Sequence, residues 1–247
     1  MTLNLLRSEW NKFGAGFWCP IILTIGILVT LLGLVATAIV NTDLLDLGAI
    51  TPAAATAEAA RFWFPMHLFA SIVGGIYVTR EFSTGVIGRS VLLSQRRSQV
   101  VFAKLLTILT FSALLALLIA GLAVVTPMFA VEEPFTSEWT RDATLTVVGV
   151  SFAIVAGGAW GLFLGFVIRS SAGVVGILLL TTLGVDETIF RLLPSVGKFS
   201  FTIALGAAFR DAREDLLSPT MGYVVAALWL LAAGGLAVWS FNRRDVL

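Results

Sequence analysis

The sequence is poor in the residues from which catalytic and metal centres are usually built. It contains one cysteine, Cys19, and one histidine, His67. A single cysteine excludes an internal disulfide and any metal cluster held by several cysteines. The sequence also has neither a GxxxxGK[ST] phosphate-binding loop nor an HExxH zinc motif. We therefore expect a non-catalytic chain that holds no metal and no cofactor of its own.

Charged residues are scarce as well, and this scarcity sets the class of protein. Only 13% of the 247 residues are charged, whereas a soluble domain carries about a quarter. Hydrophobic residues make up 58% of the chain, and the mean hydropathy is +0.97. The net charge of +1 gives no sign of a nucleic-acid partner. These values predict an all-α polytopic membrane protein with a single transmembrane domain.

Apolar runs long enough to cross a bilayer recur along the chain, since a span needs about 20 mostly apolar residues. Six spans are predicted, over residues 17–40, 62–79, 100–130, 143–168, 172–190 and 221–241. The first run is long enough to span, and no small-residue cleavage site follows a short apolar core. We therefore expect no cleaved signal peptide.

The basic residues indicate how these spans are oriented. Ten of the sixteen Lys and Arg residues fall in segments that six spans place on the side of the N-terminus. Twelve of the fifteen acidic residues fall on the opposite side. Because Lys and Arg beside a span resist translocation, the basic side is predicted to be cytoplasmic. We expect both termini in the cytoplasm and the chain in a bacterial cytoplasmic membrane.

Residues 1–14 carry an amphipathic pattern that precedes the first span. Leu6, Trp10 and Phe13 recur at spacings of three and four, and Arg7 and Lys12 lie on other faces. This pattern predicts a helix in the membrane interface, with Trp10 at the level of the headgroups. A simple juxtamembrane extension is the alternative.

The segment 191–219 fits neither a simple span nor a short loop. Apolar runs alternate there with Arg191, Lys198 and a charged cluster over residues 211–215, and Pro194 interrupts it. We predict two short re-entrant helices that dip into the outer leaflet and rest on protein, because lipid cannot satisfy a broken backbone. A seventh and an eighth span are the alternative, but they would place Arg191 and Lys198 inside the membrane at considerable cost.

The predicted spans contain almost no ionisable residue near the middle of the membrane. Ion-coupled pumps and intramembrane proteases depend on such residues, so we expect any energy for transport to come from outside this chain. His67 follows Pro65 in the second span. We interpret it as a packed, hydrogen-bonded side chain, with a place on a polar substrate path as the alternative.

Three segments stand out in the order of the chain: the opening LLRSEWNKF, the loop REFSTGVIGRSVLLSQRRSQVVFAK between the second and third spans, and the tail FNRRDVL. Together they resemble the membrane subunits of type-2 ABC transporters, in particular bacteriocin-immunity, lantibiotic-immunity and drug-export permeases. The six-span topology with both ends inside and the broken segment before the last span are similar to that family too. The resemblance covers the whole chain.

The resemblance implies that residues 80–98 form a cytoplasmic coupling loop seated on an ATPase subunit. The loop residues that it implies for this contact are Glu81, Phe82, Gly85, Arg89, Arg96 and Arg97. ATP and Mg would be bound by a pair of ATPase subunits on separate chains, and a second permease chain, identical or homologous, would complete the path. The implied cargo is hydrophobic or amphipathic, such as an antimicrobial peptide, a drug or a lipid-like molecule, moved by export or by extraction from the outer leaflet.

Two other classes remain open on the sequence alone. A membrane sensor or immunity protein without transport would have no ATPase on the basic loop. A lipid-modifying intramembrane enzyme would need clustered His, Asp or Glu at the membrane edge. The acids at the outer edge, including Asp186, Glu187 and Asp211, come nearest to such a cluster, and we interpret them as a solvated rim.

Overall fold

The computed structural model describes residues 3–14, 17–92, 94, 97–131 and 134–243. Helix accounts for 84% of the structure, and the described residues contain no strand. Six helical segments within these ranges are long and apolar enough to cross a membrane. The all-α class and the predicted number of spans, six, are therefore confirmed, and the fold is that of a multi-pass membrane protein.

The helices follow one another with short connections. The spanning helices are α2 (Trp18–Asp46), α3 and α4 (Pro52–Arg61 and Met66–Ser83, one broken span), α6 (Arg97–Val125, extended by α7, Pro127–Ala130), α8 (Arg141–Ile168), α9 and α10 (Ser171–Leu180 and Asp186–Leu192), and α13 (Pro219–Arg243). The shorter helices are α1 (Leu3–Gly14), α5 (Val86–Leu92), α11 (Pro194–Gly197) and α12 (Phe201–Ala208).

The second span begins ten residues earlier than the predicted 62–79, because α3 precedes α4. The Thr51 side chain accepts a hydrogen bond from the Ala54 N–H (3.2 Å), and Pro52 occupies the first turn. A threonine cap followed by proline is a strong helix start. The turn at 62–65 ends with Pro65, which cannot donate to the preceding turn and so separates α3 from α4.

The fifth span continues past the predicted residue 190 to Leu192. A π-helical turn, Thr181–Val185, joins α9 to α10. The Arg191 side chain is 77% exposed and donates to Glu187 (2.7 Å). Beyond it, Pro194 opens α11, and α12 lies almost wholly buried against α8 and α13. Within the segment predicted to be re-entrant, α12 is buried in protein, whereas Val196 of α11 is 60% exposed.

The centre of the bundle is the contact between α4 and α8. A Cβ atom on Gly161 would overlap the carbonyl oxygen of Ser71, and one on Gly74 would overlap that of Gly158. Only glycine allows two helix backbones to approach this closely, which is the way small residues act in membrane bundles. The small residues of α8 therefore fix α4 rigidly against it.

Replacing Gly161 with alanine tests this contact. We expect the free energy of unfolding to fall by about 1–3 kcal/mol, because the added methyl group forces two helices apart. Gly121 on α6 is the matched control, since a Cβ there meets nothing within 4 Å. Gly121→Ala should be neutral or stabilising by up to about 1 kcal/mol through helix propensity. Thermal unfolding of both variants in detergent measures the difference, and equal destabilisation would contradict the close approach.

The two ends of the bundle differ in charge. The basic end comprises α1, α5, the start of α6 and the ends of α4, α8 and α13, and it carries Arg80, Arg89, Arg97, Arg169 and Arg243. The acidic end comprises α3, α7, α10, α11, α12 and the start of α8. Salt bridges of the acidic end join α8 and α10 to the segment after α12, as in Arg210–Asp142 and Arg213–Glu187 (both 2.7 Å).

Candidate functional site

A buried cluster of ion pairs lies at the basic end, where α1, α4, α5 and α6 meet. We call it the charged junction; its residues are Glu9, Lys12, Tyr77, Glu81, Ser90 and Lys104. The Lys104 ammonium is at the centre, 2.6 Å from Glu9 Oε2 and 2.7 Å from Glu81 Oε1. Lys104 and Glu9 are both fully buried, and Glu81 is 7% exposed. One lysine of α6 therefore holds a carboxylate of α1 and a carboxylate of α4.

Further hydrogen bonds close the charged junction. Tyr77 donates its hydroxyl to Glu9 Oε2 (2.7 Å), and the Lys104 ammonium lies 4.3 Å from the centre of the Tyr77 ring. Lys12 Nζ is 2.5 Å from Glu9 Oε1 and donates to Ser90 Oγ at 2.8 Å. Ser90 of α5 is thereby joined to α1.

Removing two carboxylates and an ammonium from water costs several kcal/mol per ion unless each group is paired. In the charged junction each has at least two polar partners: Lys104 binds two carboxylates and Glu9 accepts from three donors. Such a cluster is weak evidence for high stability, but it demands one specific geometry. This geometry holds α1 and α5 in fixed positions against the rest of the bundle.

The surroundings of Glu9 act on its pKa in opposite directions. Burial raises the pKa of this carboxyl, whereas the charge of Lys104 and the hydrogen bonds from Lys104, Lys12 and Tyr77 lower it. The net result is a pKa below the ordinary value of 4.5. A carboxyl whose pKa is depressed by folding contributes stability above its unfolded-state pKa and loses it as the pH falls through the folded-state pKa.

Acidification should therefore weaken the attachment of α1. We expect the wild-type melting temperature to fall as the pH drops from neutral to below 4.5, and Glu9→Gln to show a flatter profile from a lower starting value. Glu214, which is exposed at the acidic end, provides the control, and Glu214→Gln should follow the wild-type curve. A Glu9→Gln profile parallel to that of the wild type would refute a charged Glu9 in the junction.

Helix α5 presents two different faces. The turn before it contains Gly85, whose φ of +69° favours glycine. Ile87 and Ser90 are each 1% exposed and face the bundle. Arg89 is exposed, and Leu92 is 87% exposed. The outward face of α5 thus carries one cation and one large apolar side chain.

Two arginines bind the C-terminal end of α13 at the same end of the bundle. Arg97 Nη1 donates to the carbonyl oxygen of Phe241 (3.3 Å), and Arg169 Nη2 donates to that of Ser240 (3.3 Å). Arg169 also lies over the Phe82 ring, 4.9 Å from its centre. Cations at a helix C-terminus satisfy its last carbonyls and complement its dipole. The last helix is thus fastened to α4, α6 and α8.

The structure shows the surroundings of the loop residues that the resemblance implies for the ATPase contact. The Glu81 side chain is 9% exposed and is bound to Lys12 and Lys104. Phe82 is half-buried between Phe166 and Phe241, with ring centres 6.2 and 6.1 Å away. Of the residues implied for the ATPase contact, Gly85 and Arg89 lie on the exposed surface. Arg96 lies outside the described residues, as do the last four residues of the tail, 244–247.

The residues predicted for the amphipathic helix lie on α1. Phe13 is 6% exposed and packs on Tyr77, with ring centres 5.1 Å apart. Leu6 is half-buried, and Trp10 is 43% exposed. The sequence pattern missed Glu9, which belonged to no apolar face yet is fully buried. The signal that points to it is Lys104, a lone cation within an apolar run that requires an acidic partner.

His67 lies inside the bundle and is 3% exposed. Its Nδ1 atom is 2.6 Å from the carbonyl oxygen of Phe64, and its ring is stacked on that of Phe64. The other ring nitrogen, Nε2, is buried and has no hydrogen-bond partner among the described residues. Among the residues that the structure describes, no three His, Cys, Asp or Glu side chains come together as a metal site.

The fold defines an all-helical multi-pass membrane protein with a charged junction and an exposed short helix at its basic end. No protein-family model and no curated protein matches the chain. What the chain does is therefore inferred from its own residues.

Proposed function

We propose that this chain is the permease subunit of an ATP-driven transporter of the type-2 ABC class. The observation that carries the proposal is helix α5, which exposes Arg89 and Leu92 while Ser90 ties its inner face to Lys12 and Glu81. Hydrolysis of ATP, with its Mg, would take place on a separate subunit bound to α5. One face of this short helix can contact another subunit, and its other face is hydrogen-bonded to the bundle. Such a helix can transmit a movement of that subunit to the spans.

The contacts suggest how that movement is transmitted. A push on α5 reaches α4 through Glu81 and α1 through Lys12. Helix α4 cannot slide freely on α8, because the backbones touch at Gly74 and Gly161. Helix α8 in turn contacts α12 and α13 at the acidic end. Displacement of the coupling loop would thus reposition the short helices at the far side of the bundle.

The distribution of Lys and Arg supports an orientation with the basic end in the cytoplasm of a bacterium. In that orientation α1 lies at the inner membrane interface, α5 faces the cytoplasm, and α11 and α12 lie at the outer side. A cytoplasmic ATPase can reach α5 only in this orientation.

A second permease chain, identical or homologous, fits the exposed faces of the bundle. Among the six spans, α2 has the smallest buried share in its most apolar stretch, 11%, and Leu32, Val35 and Ile39 are each more than 60% exposed. Lipid or another chain can cover such a face. The cargo that we propose is hydrophobic or amphipathic, because the spanning helices offer few polar groups.

Co-purification tests the proposal directly. The chain is tagged, extracted from its native membranes in mild detergent, and assayed for a bound subunit that hydrolyses ATP. A permease should bring an ATPase with it in a fixed ratio, and vesicles containing both should move an amphipathic substrate only with ATP. A chain that purifies without any nucleotide-binding protein would instead favour a sensor or immunity function, or a lipid-modifying enzyme.

A further inference from the structure

A small cavity of about 260 Å³ lies at the basic end, between the start of α2, the end of α4 and the turn before α5. Its lining includes Lys12, Trp18, Arg80, Glu81 and Thr84. The volume is below the range of about 300–1,000 Å³ that encloses a whole small-molecule ligand. The cavity therefore suits a small polar group that belongs to a larger molecule outside it.

Arg80 is a cation of this cavity that no carboxylate neutralises. It is exposed, and its guanidinium carbon lies 5.6 Å from the centre of the Trp18 ring. No acidic residue in the described part of the chain forms a salt bridge with it. A guanidinium group can contact an aromatic ring and still donate two parallel hydrogen bonds to an oxyanion. Arg80 is therefore accessible and free to bind a phosphate or a carboxylate.

The other charges at the cavity favour an anion as well. Glu81 is the acidic residue of the described lining, and its carboxylate already binds Lys104 at 2.7 Å. Lys12, whose side chain is 28% exposed, lies 3.5 Å from the same carboxylate and places a second cation in the wall. With Glu9 included, three cations face two carboxylates here. An anion bound to Arg80 thus meets a surplus of positive charge.

An apolar path leads from the cavity along α2. Trp18, Ile21, Ile25 and Leu28 recur at spacings of three and four, so they lie on one face of the helix. The last three are 56%, 50% and 56% exposed. From Trp18 to Leu28 the helix rises roughly 15 Å at about 1.5 Å per residue, which is half of a hydrocarbon core of about 30 Å. This face can hold an acyl chain over the depth of one leaflet.

We propose that this cavity binds the phosphate of an anionic glycerophospholipid. Arg80 donates to two phosphate oxygens, Lys12 adds charge from the wall, and an acyl chain lies on the Trp18 face of α2. The proposed orientation of the basic end places this lipid in the cytoplasmic leaflet, where anionic lipids attract Lys and Arg beside a span. The ATPase takes no part in this binding, so the two proposals can fail separately.

Native mass spectrometry of the purified full chain tests the site with phosphatidylglycerol and phosphatidylcholine that carry the same acyl chains. We expect tighter binding of phosphatidylglycerol, because the choline group of the other lipid neutralises its phosphate. Arg80→Gln should lower the affinity for phosphatidylglycerol about tenfold, in line with the loss of hydrogen bonds to a charged group. The melting temperature without lipid should stay that of the wild type, since Arg80 is exposed.

Arg243 provides the matched control for Arg80. It is also an exposed arginine of the basic end, its guanidinium carbon lies 5.5 Å from the centre of the Trp239 ring, and it is not among the residues that line this cavity. Arg243→Gln should bind phosphatidylglycerol like the wild type. An equal loss of affinity with Arg80→Gln and Arg243→Gln would overturn the site, because it would reflect attraction to the whole basic surface.

Filling the cavity gives a second, independent test. Ser83 and Thr84 are both exposed, and both donate their hydroxyl groups to the Arg80 carbonyl oxygen, at 2.9 and 2.8 Å. Thr84 lines the cavity and Ser83 does not. Thr84→Trp should abolish the preference for phosphatidylglycerol, whereas Ser83→Trp should keep it. A preference that survives Thr84→Trp would contradict binding in the cavity.

Glycerol phosphate, which carries a phosphate without acyl chains, distinguishes a lipid from a soluble anion. The proposal expects phosphatidylglycerol to stay bound when glycerol phosphate is added at equal concentration, since the contact with α2 is missing in the competitor. Displacement at equal concentration would assign the cavity to a soluble anion and overturn the lipid. Equal affinity of the wild type for phosphatidylglycerol and phosphatidylcholine would overturn the preference for an anionic head, whether or not an ATPase co-purifies with the chain.

Discussion

Replacing Lys104 with methionine is expected to lower the free energy of unfolding by about 3–5 kcal/mol, because it leaves buried carboxylates without their shared cation. Glu9 and Lys104 have no exposed surface, and Glu81 has little. Thermal unfolding in detergent measures the loss, and proteolysis near Gly14 should report the release of α1.

A neutral version of the charged junction provides the decisive control. Glu9→Gln, Glu81→Gln and Lys104→Met combined should recover much of the loss, because no unpaired charge remains in the interior. Lys198→Met, at the acidic end and outside any salt bridge among the described residues, should melt within about 0.5 kcal/mol of the wild type. If Lys104→Met behaves like Lys198→Met, the cluster does not hold α1.

The helical class and the number of spans were predictable because they depend on runs of apolar residues. The thickness of the bilayer sets the length that such a run must have. The first and last residues of the spans were harder to predict. Helix α3 contains Glu58 and Arg61, which break the apolar run, and its helical state is fixed by the Thr51 cap and by burial of its alanines against α8. Neither of these features contributes to hydropathy.

The charged junction lies at the same end of the bundle as the basic loop, but its members could not be predicted from the sequence pattern. The pattern left Glu9 on a polar face of α1, whereas Glu9 and Glu81 are both buried. Their burial depends on α1 folding back onto α4 and α6, a contact between residues 95 positions apart in the case of Glu9 and Lys104. Sequence periodicity describes one helix at a time and cannot give such pairs.

Leu92→Asp is expected to reduce co-purification of an ATPase about thirtyfold or more, which corresponds to the loss of a contact of at least about 2 kcal/mol. Leu92 is 87% exposed at the end of α5. A carboxylate placed there would be desolvated against the partner without gaining a hydrogen bond. Arg89→Glu, on the same exposed surface, should act in the same direction by reversing a charge.

The acidic end supplies a matched control for this surface. Leu47 is 79% exposed just beyond α2, so Leu47→Asp makes the same chemical change at the opposite end of the bundle. Leu92→Asp and Leu47→Asp should both fold and should have the melting temperature of the wild type, since neither leucine is buried. Loss of the ATPase with Leu92→Asp and its retention with Leu47→Asp would locate the contact on α5. Equal retention would remove α5 as the docking helix, and equal loss would show that the association does not depend on one end of the bundle.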